Sequence, residues 1–172
     1  AYVLSKFLVL AVISGLQGIT FIAIALLGRP LPDDDLLAIG SYAAILLTVV
    51  LLSLLAVTIG LFLSSLANST EVTMPFLVVT TMAQVVFSGA VPLVSMTILE
   101  AAKWINPSYW AMSSLGAITD LNMISGLSGD DEITEWAFEA DNFNNGVFGV
   151  LVFMTLFLIA TLLSLRWRER TR

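Results

Sequence analysis

The sequence predicts an all-α membrane protein: a polytopic helix bundle of about four spanning helices with a re-entrant or interfacial helical element. Three observations predict it. Of 172 residues, 58% are hydrophobic and 12% are charged, whereas a soluble domain is about half apolar and about a quarter charged. The mean hydropathy is +0.97. The runs at 7–27, 36–66 and 146–165 carry no charge at all. So few charges cannot cover a surface that faces water, and lipid removes that requirement. The length suits about four crossings with their loops, at roughly 20 apolar residues each.

Residues 7–27 form the first span, 21 residues that reach about 31 Å, one hydrocarbon core. Lys6 marks its start and Gly28-Arg29-Pro30 its end. Asp33, Asp34 and Asp35 follow in a short polar loop. They suit the first turn of the next helix, where the dipole favours acids, better than they suit a metal. Residues 36–66 make a run of 31, more than one crossing needs, so the helix tilts or projects beyond the lipid. Ser64, Ser65, Asn68, Ser69 and Thr70 then form a polar turn, with Glu71 placed to cap the next helix. The third span, 72–91, holds Pro75 in an early turn, where its missing N–H costs least. Phe87-Ser88-Gly89 and Pro92 end or kink it.

Residues 92–119 have another character. Glu100, Lys103, Trp104, Asn106, Pro107, Tyr109 and Trp110 mix charge with aromatics that favour the headgroup zone. The expectation is a short helix, a break at Asn106-Pro107 and a second short helix, forming a re-entrant or interfacial element. Glu100 and Lys103 are spaced to pair on one helix face. Residues 120–145 read as an acidic external loop, with Gly126, Gly129 and Asn144-Asn145 as loop signals. The acids there lack the order of a calcium-binding EF-hand. The last span, 146–165, ends in a tail that holds four of the seven bases. The positive-inside rule therefore puts the C-terminus in the cytoplasm. Working backwards, the 120–145 and 29–35 loops lie outside, and Lys6 and the 64–71 turn lie inside. Only Arg29 departs from this pattern.

The same composition excludes whole classes of chemistry. There is no cysteine, so no disulfide, thiolate nucleophile or cysteine-held metal. There is no histidine, the commonest general base and metal ligand. No catalytic constellation and no metal site are expected. Ser88 has no base to activate it. The net charge of −6 divides into acids at 33–35 and 130–141 and bases at 166–172, which leaves no basic face for nucleic acid. Gln17, Thr80, Thr81 and Gln84 lie inside apolar runs. Such residues either hydrogen-bond between helices or line a path, and both readings stay open. Gly15 and Gly18, beside Gln17, suit close helix contact. The chain opens on Ala1 without a signal peptide's n-region, and is read as the C-terminal piece of something longer.

The order of these features resembles a known family. A long helix, a polar turn and a helix ending in Phe87-Ser88-Gly89 precede Trp104-Ile105-Asn106-Pro107-Ser108-Tyr109-Trp110-Ala111. A polar external loop and a final helix with a basic tail follow. This is similar to the C-terminal two-thirds of the membrane domain of type-2 ATP-binding-cassette transporters, the G-subfamily-like exporters. Ala1-Tyr2-Val3-Leu4-Ser5-Lys6 likewise resembles that family's lead-in to its third helix. The resemblance covers essentially all 172 residues. It extends to bacterial fusion proteins that join forkhead-associated domains, an ATPase and such a permease.

The resemblance implies a mechanism. Two permease copies, as a homodimer, pair around a central cavity. A nucleotide-binding domain in the same or a separate polypeptide binds ATP and Mg and drives the change of access. This chain binds no cofactor itself and lacks a phosphate-binding G-x-x-x-x-G-K-[ST] loop. Thr80, Thr81, Gln84 and Ser88 would line the substrate path. Ala90 and Val91 would match an outer valve, although both are smaller than the family's usual leucines. Trp104, Pro107 and Tyr109 would mark the re-entrant element. The expected function is permease of an exporter for a lipid, a hydrophobic drug or a surface precursor, in a bacterial plasma membrane. The alternatives are a non-transporting membrane anchor or assembly subunit, and a channel or secondary transporter. A proton-coupled carrier would place ionisable groups inside the membrane, and the charge-free spans argue against it.

Overall fold

The computed structural model describes residues 2–28, 40–66, 70–90, 101, 104–126 and 133–170. They form α1 (Tyr2–Ala25), α2 (Ser41–Leu66), α3 (Thr70–Val86), α4 (Pro107–Thr119), α5 (Leu121–Ser125), a 3-10 turn (Thr134–Trp136) and α6 (Ala140–Arg170). No strand occurs among the described residues. The protein is an all-α membrane bundle, as its composition predicts. Ser5–Ala25, Ser41–Leu66 and Ala140–Trp167 are each long and apolar enough to cross a membrane. α3 is shorter, 17 residues or about 26 Å.

Lipid tails are as apolar as leucine, so helices in a bilayer gain little by hiding apolar surface from one another. They associate through close packing and hydrogen bonds, and small residues permit both. The core of this bundle is made that way. α4 sits at its centre and buries Tyr109, Ala111, Ser113, Ser114, Gly116, Ala117 and Ile118. Its broadest interface is with α6. There Gly146 lies against Ser114, and Gly149 lies against the Trp110 ring. A Cβ on Gly146 would stand 2.6 Å from the Trp110 carbonyl oxygen. The Ser114 hydroxyl donates to the carbonyls of Trp110 and Phe143, each at 3.3 Å.

The order of contacts fixes the helix directions. Ile45 shares a cluster with Phe143, and Leu55 and Ile59 share another with Val150. Further along, the Phe62 and Phe157 rings meet at 5.6 Å, and Ser164 Oγ donates to the Ser65 carbonyl at 3.4 Å. α2 and α6 therefore run parallel, and the chain between them has to cross back. α3 is the apolar helix in that stretch. α4 runs against α6, since Trp110 meets Gly149 and the later Ser114 meets the earlier Gly146.

α1 packs chiefly on α2, closest at Gly18, where a Cβ would stand 2.9 Å from Ser53 Oγ. Ser53 gives its own proton to the Val49 carbonyl at 2.8 Å. Buried Thr48 and Thr58 likewise donate within α2, to Ala44 and Leu55. Gly15, which the sequence paired with Gly18 as a contact, has no atom within 4 Å of its Cβ position.

Several boundaries differ from the sequence reading. α1 is already helical at Tyr2, so Lys6 lies inside the helix instead of at its start. The sequence places the last helix at 146–165, but α6 runs from Ala140 to Arg170. Asn144 and Asn145, read as loop signals, are helical because Phe143 and Gly146 on either side are held against α4. The 120–145 segment is correspondingly more folded than a loop. Asp120, with φ 49°, joins α4 to α5, and Gly126, with φ 70°, closes α5. Asn122 clamps Ile133 with two bonds, donating to its carbonyl at 2.9 Å and accepting from its N–H at 3.1 Å. Asn142 Nδ2 donates to the Thr134 carbonyl at 2.9 Å. Trp136 is buried against Gly116. The result is a cap folded onto α4. Gly129, the 29–35 loop, residues 92–100 and Lys103 lie outside the described residues.

Glycine contacts of this kind give a paired test. Gly146→Val forces apart α4 and α6 and should destabilise by about 1–3 kcal/mol, the usual cost of overpacking. Gly15→Val meets open space and should leave the melting temperature in detergent unchanged.

Candidate functional site

A cavity of about 530 Å³ lies where α3 ends, α4 begins and α6 passes. Val79, Thr80, Ala83, Gln84 and Phe87 form one wall, Ala101, Ile105, Asn106 and Pro107 another, and Phe157 the side toward α6. The walls are mostly apolar. Thr80, Gln84 and Asn106 supply the polar side chains. Thr80 and Gln84 share the face because they are four residues apart on a helix.

Gln84 and Asn106 also join the two helices. The last carbonyls of α3 lack partners within the helix. Asn106 Nδ2 donates to one of them, the Gln84 carbonyl, at 3.2 Å. The Oδ1 of the same amide accepts from the Ser108 N–H at 3.2 Å and caps α4. Ser108 Oγ then donates to Gln84 Oε1 at 3.4 Å. Pro107 holds the first helical position, where a missing N–H costs nothing. Asn106 is 7% exposed, so these bonds form away from solvent, where an unmade one is expensive.

The other sequence candidates lie elsewhere. Thr81 is exposed on another face of α3, and its hydroxyl donates to the Leu77 carbonyl at 2.8 Å. Ser88 Oγ donates to the Val85 carbonyl at 2.8 Å and accepts from the Ala90 N–H at 3.2 Å, which folds the turn after α3. Gly89 takes φ 87° there, facing Trp136 and Tyr109. Ala90 is exposed, and Val91 lies outside the described residues. Tyr109 is buried and meets Trp110 edge-on at 6.1 Å, while Trp104 is exposed. Trp110 sits over Gly149, nine residues or about 14 Å from the start of α6. Pro107 lies almost a turn deeper still. α4 thus starts well down the length of α6 and climbs back toward its beginning.

Asn106 and Ser108 are not among the expected site residues, although an Asn before a Pro is a helix-start signal. Nothing local marks Phe157, which reaches the cavity from the far end of the chain. Among the described residues no three acidic side chains converge as metal ligands.

The comparisons with known proteins fit this geometry. The sequence model of the ABC-2 type transporter family matches residues 1–119, from α1 to the end of α4. The chain belongs to this family. This ABC-2 membrane domain is also similar to the ABC transporter ATP-binding/permease protein Rv1747 of Mycobacterium tuberculosis, 32% identical over 123 residues. That match covers 70% of this chain and 14% of the relative. No solved structure matches the chain. The protein is thus an integral membrane domain of the ABC-2 type; the α3 and α4 walls of the cavity lie within the matched residues, and Phe157 lies beyond them.

The double role of Asn106 predicts graded losses. Asn106→Ala removes the cap of α4 and the closure of α3, and should cost about 1–3 kcal/mol. Asn106→Ser keeps a capping oxygen but cannot reach Gln84, and thermal unfolding in detergent should place it between wild type and the alanine variant.

Proposed function

We propose that this ABC-2 permease is the membrane path of an ATP-driven exporter for a lipid, a hydrophobic drug or a surface precursor. The observation that carries the reading is the cavity beside α3, apolar in its walls and set with one hydroxyl and two amides. Such a lining suits a largely apolar cargo with a few polar groups. ATP and Mg would be held by a nucleotide-binding domain in the same or another polypeptide. The relative named above carries ATP-binding and permease parts together, which supports the fused arrangement. A second copy would complete the path as a homodimer. α3 leaves Met74, Val78, Met82 and Val85 exposed, an apolar face available for it.

In this reading Thr80 and Gln84 contact the cargo first, with Thr81 and Ser88 further along the path and Ala90 and Val91 at the outer valve. Trp104, Pro107 and Tyr109 belong to a re-entrant element, in keeping with the way α4 climbs back along α6. The basic tail would put the C-terminus in the cytoplasm of a bacterium, with the permease in its plasma membrane. A second reading, a non-transporting anchor, draws support from Thr81 Oγ1 and Gln84 Oε1, which already have intramolecular partners.

ATPase activity of the full-length parent in lipid separates the two. Cargo-stimulated hydrolysis should be lost in Thr81→Trp, Gln84→Trp and Val91→Trp; hydrolysis indifferent to cargo and to all three favours the anchor. Single cysteines along residues 76–91, in a chain that has none of its own, should give symmetric crosslinks on the exposed face of α3. Their absence at every position would remove the homodimer.

A further inference from the structure

The cavity beside α3 has a hydrogen-bonding sense that its residue types alone do not reveal. Its polar side chains are two amides and a hydroxyl, and both amide oxygens already hold a bond. Asn106 Oδ1 accepts from the Ser108 N–H, and Gln84 Oε1 accepts from Ser108 Oγ. The second bond fixes which way round the Gln84 amide lies. Its Nε2, with two N–H groups, is the end left over.

Two donors therefore remain. Gln84 Nε2 has no hydrogen bond among the described residues, and neither has the Thr80 hydroxyl. Thr80 departs here from the habit of the other helical threonines. Thr20, Thr48, Thr81, Thr155 and Thr161 each donate to the carbonyl four residues earlier. Both Thr80 and Gln84 are half-buried and line the cavity. Among the described residues, Ser41 Oγ is the one buried side-chain atom without a partner, so neither donor is sealed inside the protein. One helical turn separates them, with Cβ atoms about 5–6 Å apart.

A donor among apolar walls costs free energy until an acceptor meets it. No charged side chain stands among the described lining residues, so none of them balances an ionic group. The complement of two free donors in such walls is an uncharged acceptor on an apolar body. A volume of about 530 Å³ is ordinary for a small-molecule site.

We propose that the cavity selects molecules with an ester or ketone carbonyl on an apolar body, its oxygen accepting from Gln84 Nε2 and Thr80 Oγ1, and disfavours those that carry an ammonium. The inference rests on the export reading only in calling the bound molecule cargo.

The test labels the full-length parent protein in nanodiscs with photoreactive probes. All share one diazirine-bearing alkyl chain and end in a methyl ester, a plain methyl group or an ammonium. Peptide mass spectrometry compares label on residues 79–87 and 105–107 with label on the exposed residues of α1. In wild type the ester should label the cavity about tenfold more than either other probe, as expected for neutral hydrogen bonds made away from water. Gln84→Met keeps the length without the amide and should bring the ester down to the methyl-ended probe. Thr80→Val removes no bond from the fold, should weaken the preference severalfold, and decides if Gln84→Met does not assemble. Ser108→Ala lets the amide turn over and should relieve the bias against the ammonium. Unlabelled diacylglycerol and an unlabelled steroid ketone, as competitors, separate an acyl lipid from a compact molecule as the source of the carbonyl. Equal labelling by ester and methyl-ended probes, stronger labelling by the ammonium, an unchanged preference in the deciding variant, a bias that survives Ser108→Ala, or displacement by neither competitor overturns the proposal. Labelling needs no ATP. An ester preference without cargo-stimulated hydrolysis therefore keeps the site and drops export, and stimulated hydrolysis without the preference does the reverse.

Discussion

The close approach of α4 and α6 is the contact on which the rest of the bundle depends. In lipid, two helices attract only where their atoms touch and their polar groups pair. Gly146 and Gly149 bring the α6 backbone against Trp110 and Ser114, and the Ser114 hydroxyl reaches across to the Phe143 carbonyl. α2 packs on both members of this pair, α1 on α2, and the acidic cap folds onto α4 through Ser113, Gly116 and Trp136. Enlarging any of these small residues moves an element that several others rest on.

The spans were legible because charge-free runs of this length have few other uses. The break at Asn106-Pro107 was legible because a capping amide followed by a proline is a local signal, and α4 starts there. What could not be read depends on partners distant in sequence. Asn144-Asn145 looks like a loop until Gly146 is seen locked against α4. Gly15 and Gly18 look alike, yet only Gly18 meets α2. The clamp from Asn122 to Ile133 spans eleven residues across a segment that composition alone marks as a solvated loop.

The candidate site shows the same division. Helical spacing put Thr80 and Gln84 on one face, but it could not show that Gln84 is bonded twice to the start of α4 or that Phe157 closes the cavity. The end of α3 is a polar joint set among apolar walls. Its bonds link the helix proposed to line the path with the element proposed to re-enter the membrane. Any change in the angle between α3 and α4 has to break or re-form the bonds of Asn106, which gives that motion a discrete threshold.

α6 has a mechanical property that its neighbours lack. It contains no proline, and both of its glycines are pressed against α4, so nothing along its 31 residues provides a hinge. It is a lever about 46 Å long. It bears on α2 along most of that length, from Phe143 beside Ile45, through Val150 and Phe157, to Ser164 at Ser65. At its beginning Asn142 ties the cap to it through the Thr134 and Ala137 carbonyls. One unbroken helix therefore joins the acidic cap to the basic tail, with no hinge between them to absorb a displacement of either.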